Sequence, residues 1–189
     1  MNVMRAYNLQ HNRFLAWAEK HKMPHLADLI EDRFRLEEIL ALCLLEQRKD
    51  SLALQSIWLV EKWTMYCKDD LKQSAAFFVE HLGDIKNEGS LRILGNILIN
   101  NGNIFGKKAF TPKQSETVIE YGFNWLTNPS TSVAVVANAV EILYLFSETN
   151  DWVKPELIDQ IQHLLRQGTT PAIHARANKF LKKLTAKKG

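Results

Sequence analysis

Four segments of the sequence repeat one pattern at intervals of about 40 residues, and this repetition constrains the fold more than any other feature. They begin at Ser51, Ser90, Ser132 and Ala172, with successive offsets of 39, 42 and 40 residues. In each segment the second residue is apolar, the sixth is small and the ninth is again apolar, which places the three on one face of a helix. The small residues are Ser56, Gly95, Ala137 and Ala177. Because a small side chain lets a neighbouring helix approach closely, we expect helices to touch at this position.

Apolar residues recur at three- and four-residue spacing along the rest of the chain as well, without a strand-like alternation bounded by hairpin turns. Only eight glycines and five prolines occur in 189 residues, so we expect long helices joined mostly by short connections. Thr111-Pro112 and Thr170-Pro171 have the residues typical of helix starts. The predicted helices span 2–20, 26–47, 51–66, 70–83, 90–101, 113–127, 131–148, 154–167 and 171–186.

Three of the repeated segments resemble the second helix of HEAT repeats, which typically starts Val-Arg-x-x-Ala after a short polar loop. They read Leu91-Arg92-x-x-Gly95, Val133-Ala134-x-x-Ala137 and Ile173-His174-x-x-Ala177, after the loops "NEGS", "NPSTS" and "GTTP". Arginine is retained only at Arg92, and Asn or Gly stands where the family usually has a loop aspartate.

This resemblance implies an all-α fold, a right-handed superhelical α-solenoid of antiparallel helix pairs of the HEAT or armadillo type. We expect a single domain over 1–189, with an N-terminal capping helix in 1–25, about four degenerate helix pairs in 26–186 and a basic tail at 187–189. An irregular helical bundle is the structural alternative.

HEAT-like arrays mostly bind other macromolecules along a concave surface, so the resemblance implies a non-catalytic scaffold for a protein or peptide partner. The residue after the small position is asparagine in three segments, at Asn96, Asn138 and Asn178. These amides either grip an extended peptide, as asparagines do on armadillo inner helices, or bond within the protein, as most amides do. Arg92 and Trp58 are further candidate partner-binding residues. Trp58 and Trp63 do not share a helix face, so at least one of the two should be partly exposed.

The net charge of +3 is unevenly distributed. Seven basic residues and no acidic residue follow residue 159, whereas 1–159 contain 17 basic and 21 acidic residues. The basic end is either a solvated last helix or a patch for nucleic acid, an anionic membrane or an acidic partner. The candidate basic patch comprises Lys107, Lys108, Arg176, Lys179, Lys182 and Lys183.

Nucleic-acid binding is the alternative function, with Arg92, Lys107, Lys108 and the C-terminal lysines as its candidate residues. The chain resembles HEAT-like DNA alkylation repair proteins in architecture, which use Trp, Asp and Arg around a cationic concave face. Their catalytic acid maps onto no position here.

A small-molecule enzyme is the third alternative, although the sequence lacks the catalytic and cofactor-binding motifs of several enzyme classes. HExxH, G-x-S-x-G and a dinucleotide fingerprint are absent from the sequence. "GNIFGKK" at 102–108 is one residue short of a phosphate loop and has Lys108 at the hydroxyl position. Met23-Pro24 lacks the lysine of the adenylosuccinate-lyase-type motif Met-Pro-x-Lys-x-Asn. We expect no cofactor and no metal site.

The sequence also predicts a cytoplasmic protein without membrane insertion. The first residues have no apolar signal region, and the longest apolar run, 39–45, is far shorter than the ~20 residues of a spanning helix. Cys43 and Cys67 are expected to be free, buried thiols.

Overall fold

A computed structural model describes residues 36–44, 52–66 and 68–186 of the chain. All regular secondary structure within these ranges is helical, and no strand occurs there, which confirms the predicted all-α class for this part. The eight α-helices of the described ranges are α1 (Leu36–Leu42), α2 (Leu52–Tyr66), α3 (Lys68–Glu80), α4 (Glu88–Phe105), α5 (Pro112–Thr127), α6 (Val133–Phe146), α7 (Val153–Gln167) and α8 (Pro171–Thr185). A 3₁₀ turn, Gly106–Lys108, follows α4. The predicted capping helix at 1–25 and the basic tail at 187–189 lie outside the described residues.

Side-chain caps fix the beginnings of α4, α5 and α8. Thr111 Oγ1 accepts a hydrogen bond from the backbone N–H of Gln114 at 3.3 Å, and Gln114 Oε1 accepts one from the backbone N–H of Thr111 at 3.0 Å. This reciprocal capping box satisfies two amide groups that have no partner inside the helix. Asn87 and Thr170 cap α4 and α8 with one side-chain bond each. The predicted starts at Thr111-Pro112 and Thr170-Pro171 are therefore confirmed.

α4 continues four residues beyond its predicted end at 101, through a run of residues that favour loops. Asn101 is buried there, and its Nδ2 donates to the carbonyl of Ala109 at 2.9 Å. Gly102 packs against Leu145 of α6. These tertiary contacts offset the poor helix propensity, and the helix ends only at Gly106, whose φ of 53° suits glycine.

The helices contact one another in two series. We name α2, α4, α6 and α8 the even row, because each contacts the next in this order. We name α3, α5 and α7 the odd row, which is likewise connected in order. Between the rows, α3 contacts α4, α5 contacts α6 and α7 contacts α8, while α1 contacts α2 and α3. This order of contacts is compatible with a helical repeat.

One continuous hydrophobic core connects the described helices. It extends from Leu36 in α1 to Leu184 in α8. Trp63, Phe78 and Phe180 are the largest of its fully buried side chains. Since both rows contribute to the same core, the spacing between even-row helices depends on how the odd-row side chains pack against them.

At Gly95, one of the small positions of the repeat, two helices make the close contact that the sequence predicts. A Cβ atom added to Gly95 of α4 would lie 2.6 Å from Nδ2 and 3.0 Å from Cβ of Asn138 in α6. A separation below 3.0 Å is shorter than van der Waals contact, so a methyl group does not fit there without movement. The equivalent residues of α2 and α8, Ser56 and Ala177, are buried, and Ala137 of α6 is half-buried. Gly95 therefore lets α4 and α6 approach closely.

Candidate functional site

A network of polar side chains joins three successive helices of the even row. Asn138 Nδ2 donates to the Arg92 carbonyl at 2.9 Å and to Asn96 Oδ1 at 3.2 Å. Asn96 Nδ2 donates in turn to Glu61 Oε1 at 2.7 Å. Lys62 Nζ lies 3.1 Å from the other oxygen of the Glu61 carboxylate. We call Glu61, Lys62, Asn96 and Asn138 the asparagine network, and it connects α2, α4 and α6.

The contact between α6 and α8 uses different chemistry. Asn178 occupies the repeat position of Asn96 and Asn138, but its Nδ2 lies 3.1 Å from Nδ1 of His174, one turn earlier in α8. An ion pair between Arg176 and Glu141 bridges α8 and α6 instead. Asn178 therefore contacts a residue of its own helix, whereas Asn96 and Asn138 bond to each other across α4 and α6.

The accessibility of the asparagines differs along the row. Asn138 is buried, with 7% of its surface exposed, whereas Asn96 and Asn178 are half-buried. Peptide binding by this repeat position stays a prediction. Because a partner can reach only accessible amide atoms, this interpretation places direct contact on Asn96 and Asn178.

The surface of the even row also carries the candidate residues on α2 and α4. Trp58 and Lys62 are half-buried, and Met65, on the same side of α2, is 59% exposed. Trp63 is fully buried, and its indole Nε1 donates to Asp70 Oδ2 of α3 at 2.6 Å. The expectation that the two tryptophans lie on different faces is confirmed. On α4, Arg92 is exposed.

The residues of the candidate basic patch lie on two elements. Lys107 and Lys108 are exposed in the 3₁₀ turn after α4, while the other four belong to α8. On α8, Lys183 Nζ lies 5.2 Å from the ring centroids of Tyr144 and Phe180, within the range of cation–π attraction. Lys179 Nζ lies at the same distance from the Phe180 ring. Lys183 thus reaches from α8 to α6.

Glu61 and Glu141 belong to the candidate site, although the repeat pattern in the sequence does not mark them. Each is the single acidic residue of its even-row helix, in the apolar stretches "IWLVEKW" and "NAVEILY". A carboxylate in such a stretch needs a partner, since burying an unpaired charge is costly. That isolation was the available signal for the contacts with Asn96 and Arg176.

The part of the chain that the structure describes contains neither a candidate metal site nor a membrane-spanning helix. No group of three His, Cys, Asp or Glu side chains there is placed to hold a metal ion. In the same ranges, no helix has both the length and the apolar character needed to cross a membrane. Cys43 is buried, its Sγ donates to the Ile39 carbonyl at 3.2 Å, and desolvation raises the pKa of its thiol. Cys67 lies outside the described residues.

Comparison with known proteins assigns no family. The chain matches no protein-family model, and searches of curated proteins and of solved structures found no match either.

Proposed function

We propose that the chain is a HEAT-like, right-handed α-solenoid that acts as a non-catalytic scaffold and binds a protein or peptide partner on the even row. One observation carries the proposal. The four segments that repeat at about 40 residues in the sequence correspond to α2, α4, α6 and α8, the helices that contact one another in order. A repeat in sequence that coincides with a stack in space is the defining property of such arrays.

The exposed side of the even row has the composition of a protein-binding surface. Trp58 and Met65 of α2 offer apolar area, and Arg92 of α4 offers an exposed guanidinium. Tryptophan, methionine and arginine are the residue types enriched in protein interfaces. Asn96 of α4 adds a half-buried amide, which is bonded to Glu61 of α2.

The asparagine network prepares this surface for binding. It joins α2 to α4 and α4 to α6 through direct bonds of 2.7 to 3.2 Å, so the spacing of the three helices is set before a partner arrives. A surface that is already ordered loses less conformational entropy on association. In this account Glu61 and Asn138 position the helices, and Trp58, Arg92 and Asn96 contact the partner.

The test is an affinity pull-down from native lysate, with and without nuclease. The bait is the wild-type chain, the variant Arg92→Glu, or the matched control Lys113→Glu. Lys113 is an exposed residue of α5 in the odd row, so both variants change the charge by the same amount.

We expect one protein to be recovered in stoichiometric amounts whether or not nuclease is present. Arg92→Glu should reduce its recovery at least tenfold, and Lys113→Glu should leave it unchanged. Release of the protein by nuclease would contradict the proposal and favour the nucleic-acid alternative. Equal recovery with both variants would place the interaction on another face.

A further inference from the structure

The two rows of helices differ in charge. The even row contains six basic residues, Lys62, Arg92, Arg176, Lys179, Lys182 and Lys183, and three acidic residues, Glu61, Glu88 and Glu141. The odd row contains five basic residues, Lys68, Lys72, Lys113, Lys154 and Arg166, and seven acidic residues, Asp69, Asp70, Glu80, Glu116, Glu120, Glu156 and Asp159. The even row is therefore net positive and the odd row net negative.

Each of the three acidic residues of the even row has a hydrogen-bond or ion-pair partner in this row or in the residue directly before one of its helices. Glu61 accepts from Asn96 and lies beside Lys62. Glu141 pairs with Arg176. Glu88 Oε2 accepts a bond from the backbone N–H of Ser132 at 3.3 Å. These carboxylates neutralise Lys62 and Arg176, so the surplus positive charge of the row lies on its other cations.

The remaining cations are concentrated on α8. Lys179, Lys182 and Lys183 are exposed and have no carboxylate within salt-bridge distance among residues 36–44, 52–66 and 68–186. Lys179 and Lys183 are four residues apart, which places them on one face of the helix. We call these two residues the α8 basic face. Lys183 Nζ lies 5.2 Å from the ring centroid of Tyr144, so this face reaches the contact between α8 and α6.

We propose that the partner segment bound by this scaffold is acidic, and that its carboxylates dock on the α8 basic face beside Tyr144. The inference rests on the proposed scaffold function and names the chemistry of its partner. Lys179 and Lys183 are one helical turn apart, about 6 Å along the axis at ~1.5 Å per residue. Alternate residues of an extended peptide point to the same side and are separated by about 6.6 Å. A peptide with acidic side chains at every second position therefore matches the two ammonium groups.

A short acidic peptide fits the row better than a nucleic acid does. A nucleic acid carries closely spaced phosphates and requires a long track of cations. The central helix α6 has no basic residue, and its single carboxylate, Glu141, is paired with Arg176 of α8. The positive track is thus interrupted after one helix, a length that suits a segment of a few residues.

The test uses a defined probe, a rhodamine-labelled ten-residue peptide of alternating glutamate and serine, and fluorescence anisotropy at 50 mM salt. The reference peptide has glutamine in place of glutamate. The variant Lys179→Glu/Lys183→Glu is compared with Lys113→Glu/Lys154→Glu, which makes the same charge change on exposed odd-row residues. Lys179→Gln/Lys183→Gln removes the charges without reversing them, and circular dichroism confirms that each variant is folded.

We expect the glutamate peptide to bind at least tenfold more tightly than the glutamine peptide. The α8 double reversal should weaken binding at least tenfold, the glutamine variant should weaken it by an intermediate factor, and the odd-row control should stay within twofold of wild type. Equal weakening by both reversals would overturn the proposal, because the attraction would then come from net charge alone. Tighter binding of a ten-nucleotide single strand that displaces the peptide would also overturn it.

The scaffold and the acidic segment fail in different ways. If the lysate partner is lost with Arg92→Glu but retained with Lys179→Glu/Lys183→Glu, the acidic inference is wrong and the scaffold stands. If no nuclease-resistant protein partner is recovered, the scaffold function is wrong whatever the peptide titration gives.

Discussion

Replacing Gly95 by alanine is expected to destabilise the protein, although the same change stabilises an isolated helix. In a helix without neighbours, alanine gains ~1 kcal/mol over glycine. Here the new methyl carbon would lie 2.6 Å from Nδ2, 3.0 Å from Cβ and 3.1 Å from Cγ of Asn138. The nitrogen and Cγ can move by rotation of the Asn138 side chain, but Cβ moves only if the backbone of α6 moves.

The magnitude follows from three contributions. Overpacking of a well-packed contact costs ~1–3 kcal/mol. Displacement of the Asn138 amide breaks its bonds to Asn96 and the Arg92 carbonyl, at ~1 kcal/mol each. The gain in helix propensity offsets ~1 kcal/mol. We therefore expect Gly95→Ala to lower the free energy of unfolding by about 3 kcal/mol, and the Tm by about 6–12 °C for a chain of this size.

Guanidinium and thermal unfolding, monitored by circular dichroism, measure this change. The control is the same substitution in an Asn138→Ala background, where the amide nitrogen and Cγ are gone and only the Cβ contact remains. The cost of Gly95→Ala should then fall below ~1 kcal/mol. An increase in stability in the wild-type background, or an unchanged cost in the Asn138→Ala background, would refute the close contact between α4 and α6.

Three further outcomes are expected. Gly102→Ala should cost less than Gly95→Ala in the same unfolding assay, because its methyl group meets the flexible end of Leu145, with Cδ1 at 2.7 Å, rather than atoms near a backbone. Thr111→Ala removes one half of the α5 capping box and should lower the free energy of unfolding by ~1 kcal/mol, whereas Thr111→Ser should retain most of it. In a Cys67→Ser background, Cys43 should react with a thiol reagent at pH 8 only after denaturant is added, because burial blocks access to the thiol and raises its pKa. Rapid labelling of Cys43 in the folded protein would contradict its placement in the core.

The helices of this protein could largely be predicted from apolar spacing and cap residues. The starts of α5 and α8 were marked by Thr111-Pro112 and Thr170-Pro171, because a cap is a local interaction between residues close in sequence. The end of α4 was predicted four residues early. Its last turn depends on Asn101 bonding to Ala109 and on Gly102 packing against α6, and these contacts are not visible in the local sequence.

The candidate site shows the same boundary between local and tertiary information. The repeat register placed Asn96 and Asn138 at equivalent positions, directly after the small position that Gly95 occupies, and the contact at Gly95 followed from its size. The register did not reveal that Asn96 bonds to Glu61, which occupies a different position of its own segment. That pairing depends on how far α2 and α4 are shifted along each other, and the shift is decided by core packing.

The most direct test of the even row as the binding surface is a ¹H–¹⁵N correlation spectrum of the purified protein, recorded with and without its captured partner. Amides of exposed or half-buried residues on α2, α4 and α8, beginning with Trp58, Arg92 and Lys179, should show the largest shift changes. Amides of α3, α5 and α7 should change little. Changes concentrated on the odd row, or spread evenly over both rows, would contradict the proposed binding surface.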